Sequence, residues 1–190
     1  LREADITALM DITQGSDILI VSDEVYEHIV FDGYHHESML RYPELAARSF
    51  TIGSFGKTFH ATGWKVGYCI APETLTDEFR KVHQYLTFAV NTPVQHAYAE
   101  YMADERTYLG VAAFYQRKRD LFLDLIRNSK FRPLPCHGTY FQMLDYSEIA
   151  NESDIAFAER LIKEHGVAAI PPSVFYHTRE DNHVLRFCFA

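Results

Sequence analysis

The chain has 190 residues, 47% of them hydrophobic and 23% charged, and its 18 basic and 26 acidic side chains leave a net charge of −8. That length supports one large domain or two small ones with an ordinary buried core. The acidic balance argues against nucleic-acid binding, which needs a basic footprint, and no apolar run approaches the roughly 18 residues of a membrane span. Cys69, Cys136 and Cys188 stand far apart with no C-x-x-C pair, which argues against a disulfide scaffold or a zinc site and suits a reducing cytoplasm.

Residues 1–13 carry Ile6, Leu9, Met10 and Ile12 at helical spacing, with Gly15 placed to end the helix. Residues 17–21 (DILIV) predict a short strand, buried in a parallel sheet, that runs straight into Ser22-Asp23-Glu24. Residues 31–43, rich in Gly, Tyr, His and Pro, read as a loop. A second strand is predicted over 49–52, leading into Gly53-Ser54-Phe55-Gly56-Lys57-Thr58, and a third over 66–71, after Gly63-Trp64-Lys65. Strands with polar turns at their ends, partly separated by helix, indicate an α/β layer architecture.

Residues 76–86 predict an amphipathic helix with Phe79, Val82, His83 and Leu86 on one face. That face and the strands over 17–21 and 66–71 are expected to pack against layers partly outside this chain. Thr92-Pro93 opens a helix that continues through 94–102. Residues 107–127 read as one long helix, its Arg117-Lys118-Arg119 cluster a solvated face, broken by Pro133 and Pro135. Residues 139–144 alternate as a strand does, and Ser153 fits the N-cap of a helix over 155–165 with Gly166 as its C-terminal stop. Residues 167–170 and 184–189 predict two more short strands, so the second half has α+β character. The chain opens on Leu1 with no leader pattern and stops directly after the last apolar run, and it is expected to be a fragment.

The string GSFGKT ends as a phosphate-binding loop does, but that loop needs four residues between its glycines. Two separate Gly53 from Gly56, and Thr51 stands where the first glycine belongs. Asp23-Glu24 also precedes the lysine, the wrong order for the magnesium-binding strand of such enzymes. A different chemistry uses both elements. A lysine on a turn after a buried strand is placed to form a Schiff base, which needs a desolvated, neutral amine. A carboxylate ending a neighbouring strand can keep a pyridine nitrogen protonated, which is the electron-sink arrangement of pyridoxal phosphate enzymes.

Asp23 with Tyr26 three residues on, then Ser54, Lys57 and Lys65, have the order and spacing of the class I/II aminotransferases, the fold-type I pyridoxal phosphate enzymes. The chain resembles this family over nearly its whole length, in the strings SDEVYEHIVF, SFGKTFHATGWKVGYCIAP and LRFCFA. KVHQYLTFAVNTPVQ is most similar to bacterial methionine aminotransferases and to kynurenine/glutamine transaminases. The resemblance implies the carboxyl-terminal portion of an α/β enzyme. Residues 1–110 would form part of the large, mostly parallel cofactor-binding domain, and 111–190 the connecting helix and a small α+β domain, incomplete at its end.

The resemblance also implies roles. Lys57 would form the Schiff base with pyridoxal 5′-phosphate and carry a proton between the substrate Cα and the cofactor. Asp23 would pair with the pyridinium nitrogen, and Tyr26 would donate its phenol to the 3′ oxygen. Ser54 and Lys65 would hold the phosphate; Lys65 stands where many members have arginine, so a point charge replaces a fork. Arg186 would grip the substrate α-carboxylate, and Phe88 and Asn91 would reach the second site of a homodimer. The implied reaction is amino transfer from a hydrophobic or sulfur-bearing amino acid to a 2-oxo acid in the cytoplasm. A C–S β-lyase and an inert truncated domain are the alternatives. Taken singly, Asp23 reads as a turn cap, Tyr26 as a half-buried aromatic, Ser54 as a turn residue, Lys65 as a surface lysine and Arg186 as an edge-strand charge. Gly63 and Gly67 read as backbone spacers. His28, His35, His36, His60 and His137 lack metal-ligand spacing and read as structural or surface residues, so no metal is expected; Cys69 and Cys188 read as small core residues.

Overall fold

In the computed structural model, which describes residues 1–190, the spacing of Ile6, Leu9 and Met10 resolves as α1 (Glu3–Thr13). Ile6 is buried with Met39 and Leu45, and Leu9, Met10 and Ile20 pack against them. Gly15, at φ +66°, takes the left-handed turn beyond the helix end.

β1 (Ile20–Asp23) begins later than the apolar run predicts. The Arg48 guanidinium explains why: its Nη1 donates to the carbonyls of Thr13, Ser16 and Ile18 at 2.9, 3.1 and 3.1 Å, holding the chain off the ladder until Ile20 N–H reaches Arg48 O at 2.9 Å. Leu19 and Val21 are 54% and 69% exposed, an apolar edge consistent with a strand expected to pack against layers partly outside this chain. α2 (Pro43–Ala46), with proline in its first turn, leads through Ala47 and Arg48 into β2 (Ser49–Ser54), and α3 (Phe55–Thr58) follows β2 directly. β1 and β2 are parallel, with Ile20 opposite Ser49 and Asp23 opposite Ile52.

β3 (Gly67–Ile70) completes the sheet, antiparallel to β2, with Ser54 opposite Gly67. A Cβ on Gly67 would stand 2.5 Å from Gly53 O, so this crossing of backbones needs glycine at that position. α4 (Glu73–Leu86) carries the predicted amphipathic face, and Phe79, Val82 and Leu86 are all exposed. α5 (Thr92–Tyr101) starts where Asn91 Oδ1 accepts Val94 N–H at 3.2 Å.

The single helix predicted over 107–127 is two, α6 (Arg106–Leu109) and α7 (Val111–Ile126). They part at Gly110, the poorest helix former short of proline. The chain divides here into two compact units, Leu1–Val111 and Ala112–Ala190.

In the second unit, β4 (Arg132–Pro133) and β5 (Phe141–Asp145) pair antiparallel, α8 (Asp154–His165) follows, and β6 (Val184–Cys188) pairs antiparallel with β5. Pro133 lies in the edge strand rather than ending the helix, a place where its missing N–H costs nothing. Leu144, Tyr146, Phe157, Leu161, Leu185 and Phe187 form the core of this unit. α8 begins and ends as its sequence predicts: Ser153 Oγ accepts Ala156 N–H at 3.3 Å, and Gly166 takes φ +67°.

Three readings of this unit are corrected. Residues 167–170 form no strand, only a bridge from Ile170 to Arg186. Arg119 is not on a solvated face: it is buried, donates to Cys136 O at 2.8 Å and pairs with Asp120. Cys188 is exposed, because strand alternation turns it away from the side that buries Leu185 and Phe187. No helix of either unit is long and apolar enough to cross a membrane.

Candidate active site

The two parallel strands end together. β1 finishes on Asp23, and Glu24 N–H bonds Ile52 O at 2.8 Å, which locks the chain end of β1 against β2. β2 finishes on Ser54, and Lys57 follows within the single turn of α3. β3 runs the other way, with Gly67 opposite Ser54, so Lys65 precedes it at the same end of the sheet. Tyr26 lies on the turn after β1, where Ile29 N–H returns to Tyr26 O at 2.8 Å. The fold thus gathers Asp23, Tyr26, Ser54, Lys57 and Lys65 at the carboxyl end of the parallel pair, where open α/β sheets bind ligands. Arg186 belongs to the second unit, on β6.

Neither the amine nor the carboxylate is in an ion pair. Asp23 is exposed; its Oδ1 accepts Val25 N–H at 3.3 Å, and it forms no ion pair. Lys57 is half-buried and has no carboxylate partner. The Ser54 hydroxyl makes no capping bond to α3, although Ser54 is its N-cap residue. Lys65 is exposed and left-handed, at φ 55°, a conformation that costs a non-glycine residue energy and is concentrated at functional sites.

A second set of side chains supports this edge. Tyr68 lies across Gly53, where an added Cβ would stand 2.1 Å from the ring, and its hydroxyl donates to Glu27. Burial, then the Glu27 carboxylate, raises the Tyr68 phenol well above its ordinary range. Glu24, only 7% exposed, accepts Ser22 Oγ–H at 2.9 Å, Met39 N–H at 3.0 Å and His36 Nε2–H at 2.8 Å. It thereby ties the loop of residues 31–43 to the turn that carries Asp23 and Tyr26.

Burial pushes the Glu24 carboxyl up, but these donors, His36 foremost, outweigh it and leave the group below its ordinary value of 4.5. The stability this carboxylate adds is therefore complete above about pH 4.5 and is lost as pH falls through the lower folded value. Glu24→Gln is expected to lower stability by roughly 1–2 kcal/mol near neutral pH. The gap to the parent protein should close in acid. Thermal melts across this range check it, and a gap of constant size would refute the charge argument.

Neither Glu24 nor His36 was singled out as a site residue by the sequence. The SDE string hinted at Glu24 alone, and nothing in the spacing joins it to a histidine twelve residues on.

The model of the family "Aminotransferase class I and II" matches residues 1–190. The methionine aminotransferase of Escherichia coli K12 is 48% identical over 190 residues, 100% of this chain and 49% of that protein. A kynurenine–oxoglutarate transaminase of Dictyostelium discoideum is 36% identical over 93% of this chain and 46% of its own length. Among solved structures, an Escherichia coli protein identified as having methionine aminotransferase function superposes with a TM-score of 0.95 at 48% identity, over 99% of this chain and 50% of that one. The N-succinyldiaminopimelate aminotransferase of Mycobacterium tuberculosis gives 0.92 at 30% identity, over 100% and 50%. The chain spans about half the length of the curated relatives it matches.

Proposed function

The chain belongs to the class I and II aminotransferase family, and from that premise we propose that the whole protein moves an amino group from a hydrophobic or sulfur-bearing amino acid to a 2-oxo acid, using pyridoxal 5′-phosphate. One observation carries the reading: two adjacent parallel strands bring to one end of the sheet an exposed carboxylate, Asp23, and, one helical turn beyond the second strand, a lysine, Lys57, and neither is in an ion pair. The likeness to a methionine aminotransferase supports the substrate class.

The side chains present fit this cofactor by their chemistry. It needs an amine for its aldehyde, an anion for its ring nitrogen, a donor for its ring oxygen, and cationic or hydroxyl groups for its phosphate. Lys57, Asp23, Tyr26 and the pair Ser54 and Lys65 are such groups. When bound, pyridoxal phosphate supplies an aldehyde that condenses with amines and a ring that draws electrons from the substrate Cα.

The chain's own residues do the rest. Lys57 would hold the cofactor covalently and, with its amine freed, would take the proton from the substrate Cα and deliver it to the former aldehyde carbon on the far side of the amino nitrogen. Asp23 keeps the ring nitrogen protonated by presenting a fixed negative charge. Tyr26 donates its phenolic hydrogen to the ring oxygen. The Ser54 hydroxyl and the Lys65 ammonium orient the phosphate, Lys65 as a point charge. Arg186 offers its guanidinium to the α-carboxylate common to amino acid and 2-oxo acid. Phe88, left-handed at φ 64°, and Asn91 contribute to the second site of a homodimer.

Mixed with a sulfur-bearing amino acid and a 2-oxo acid, the cofactor-loaded whole protein is expected to form one new amino acid for each new 2-oxo acid. Pyruvate with free ammonia would identify C–S β-elimination instead, and no product of either kind would refute the assignment.

A further inference from the structure

Arg186 is held in an unusual way for a surface cation. Along β6, Leu185 and Phe187 turn into the core and Arg186 turns to the other face. Its backbone is pinned to Ile170 in both directions, Arg186 N–H to Ile170 O at 2.9 Å and Ile170 N–H to Arg186 O at 3.0 Å. Its guanidinium makes no ion pair. The guanidinium carbon instead lies 4.3 Å from the centroid of the Phe141 ring and 5.7 Å from that of Phe175. Nε is buried with no acceptor.

Aromatic faces steady a guanidinium without using its in-plane hydrogens. With Nε buried, the terminal nitrogens are the donors left for a ligand. A carboxylate must then meet the group end-on, as a two-pronged acceptor.

Phe141 comes from the neighbouring strand β5, one diagonal step from Arg186 in the register. Phe175 needs a separate explanation, because it is 67% exposed and adds nothing to the core. It ends the short 3₁₀ turn Pro172–Phe175, which is anchored from below. Asp154, 2% exposed at the start of α8, accepts Ser173 N–H at 2.8 Å and Ser173 Oγ–H at 2.7 Å. Asp181 in turn accepts Asp154 N–H at 2.8 Å. A buried, doubly hydrogen-bonded carboxylate fixes a turn whose last residue is a large exposed ring near an unpaired cation.

We propose that Phe175, seated by the Asp154–Ser173 latch, is a positioning residue that acts with Phe141 to orient the Arg186 guanidinium end-on for the substrate α-carboxylate. The proposal rests on the reading of Arg186 as the carboxylate-binding group. It assigns the 3₁₀ turn a part in binding both substrates, since amino acid and 2-oxo acid share that carboxylate. It leaves the proton transfer at Lys57 untouched.

The test uses the cofactor-loaded whole protein and the variants Phe175→Ala, Phe175→Leu, Phe175→Tyr and Arg186→Gln. Two quantities are read: kcat and KM for both substrates, and the calorimetric Kd of hexanoate, an unreactive monocarboxylate whose binding needs no turnover. Phe175→Ala and Phe175→Leu are expected to raise both KM values and the hexanoate Kd by about threefold to tenfold, the scale of one cation–π contact. Saturating kcat and the melting temperature should stay close to the parent, because the ring is exposed. Phe175→Tyr, which keeps the aromatic face, should behave as the parent does. A leucine variant indistinguishable from the parent would overturn the proposal, as would an alanine variant that changes kcat alone. Hexanoate binding that survives Arg186→Gln would instead remove the carboxylate reading of Arg186, and the proposal with it.

Discussion

Lys57→Ala is expected to lower transamination by the whole protein by about 10⁴-fold or more, because nucleophile and proton carrier are lost together. The expectation rests on placement. The alternating burial of β2 fixes its register, and α3 follows without a linker, so Lys57 has little freedom in where it stands. It is half-buried and forms no ion pair. Lys57→Arg keeps the positive charge and removes the nucleophile, and it should be as inactive as the alanine variant. Borohydride added to the protein with pyridoxal phosphate reduces the carbon–nitrogen double bond and leaves a stable pyridoxyl group on the lysine that formed it. Peptide mapping should find that group on Lys57. A label on Lys65, or an alanine variant with near-parent turnover, would refute the assignment.

The parts of this molecule legible in the sequence are those fixed by local chemistry. The boundaries of α8 follow from a serine that accepts an N-terminal N–H and a glycine that can turn left-handed, and both act within a few residues. The order of β2, the lysine-bearing turn and β3 was readable because apolar runs and glycines punctuate it; that the turn winds into the short helix α3 was not.

What failed depends on distant partners or on their absence. The apolar residues at 167–170 have a strand's composition, yet only Ile170 meets a neighbour's backbone. The periodicity of 107–127 runs straight across Gly110, so hydrophobic spacing could not report the break. Arg119 looks like the rest of its basic cluster until the loop at Cys136 folds over it. The apolar faces of β1 and α4 were visible as apolar, but a sequence does not say what covers them.

The candidate site divides in the same way. Lys57 and Asp23 stand out because each lies on a polar stretch that closes an apolar run, Asp23 ending β1 and Lys57 lying in the turn of helix after β2. The Glu24–His36 contact and the Phe175–Arg186 contact join residues on different segments, and no spacing rule links them.

Asp23 has a plain structural reading that must be separated from its proposed role. Its Oδ1 accepts Val25 N–H at 3.3 Å, so a turn cap would explain the residue without any cofactor. Asp23→Asn separates the two, since it keeps that acceptor and removes the charge. In the cofactor-loaded whole protein Asp23→Asn is expected to lower kcat by about 10³-fold, the value of a close ion pair at an effective dielectric of about 20. Its melting temperature should match the parent. Asp23→Ala should lose both the charge and the cap, adding a modest loss of stability of about 1 kcal/mol. Asp23→Glu should be far milder in kcat, because a carboxylate remains at the strand end. Steady-state rates set beside melting curves for the three variants decide the question: an asparagine variant within about tenfold of the parent, a difference of only about 1.4 kcal/mol in barrier, would leave Asp23 a turn residue and nothing more.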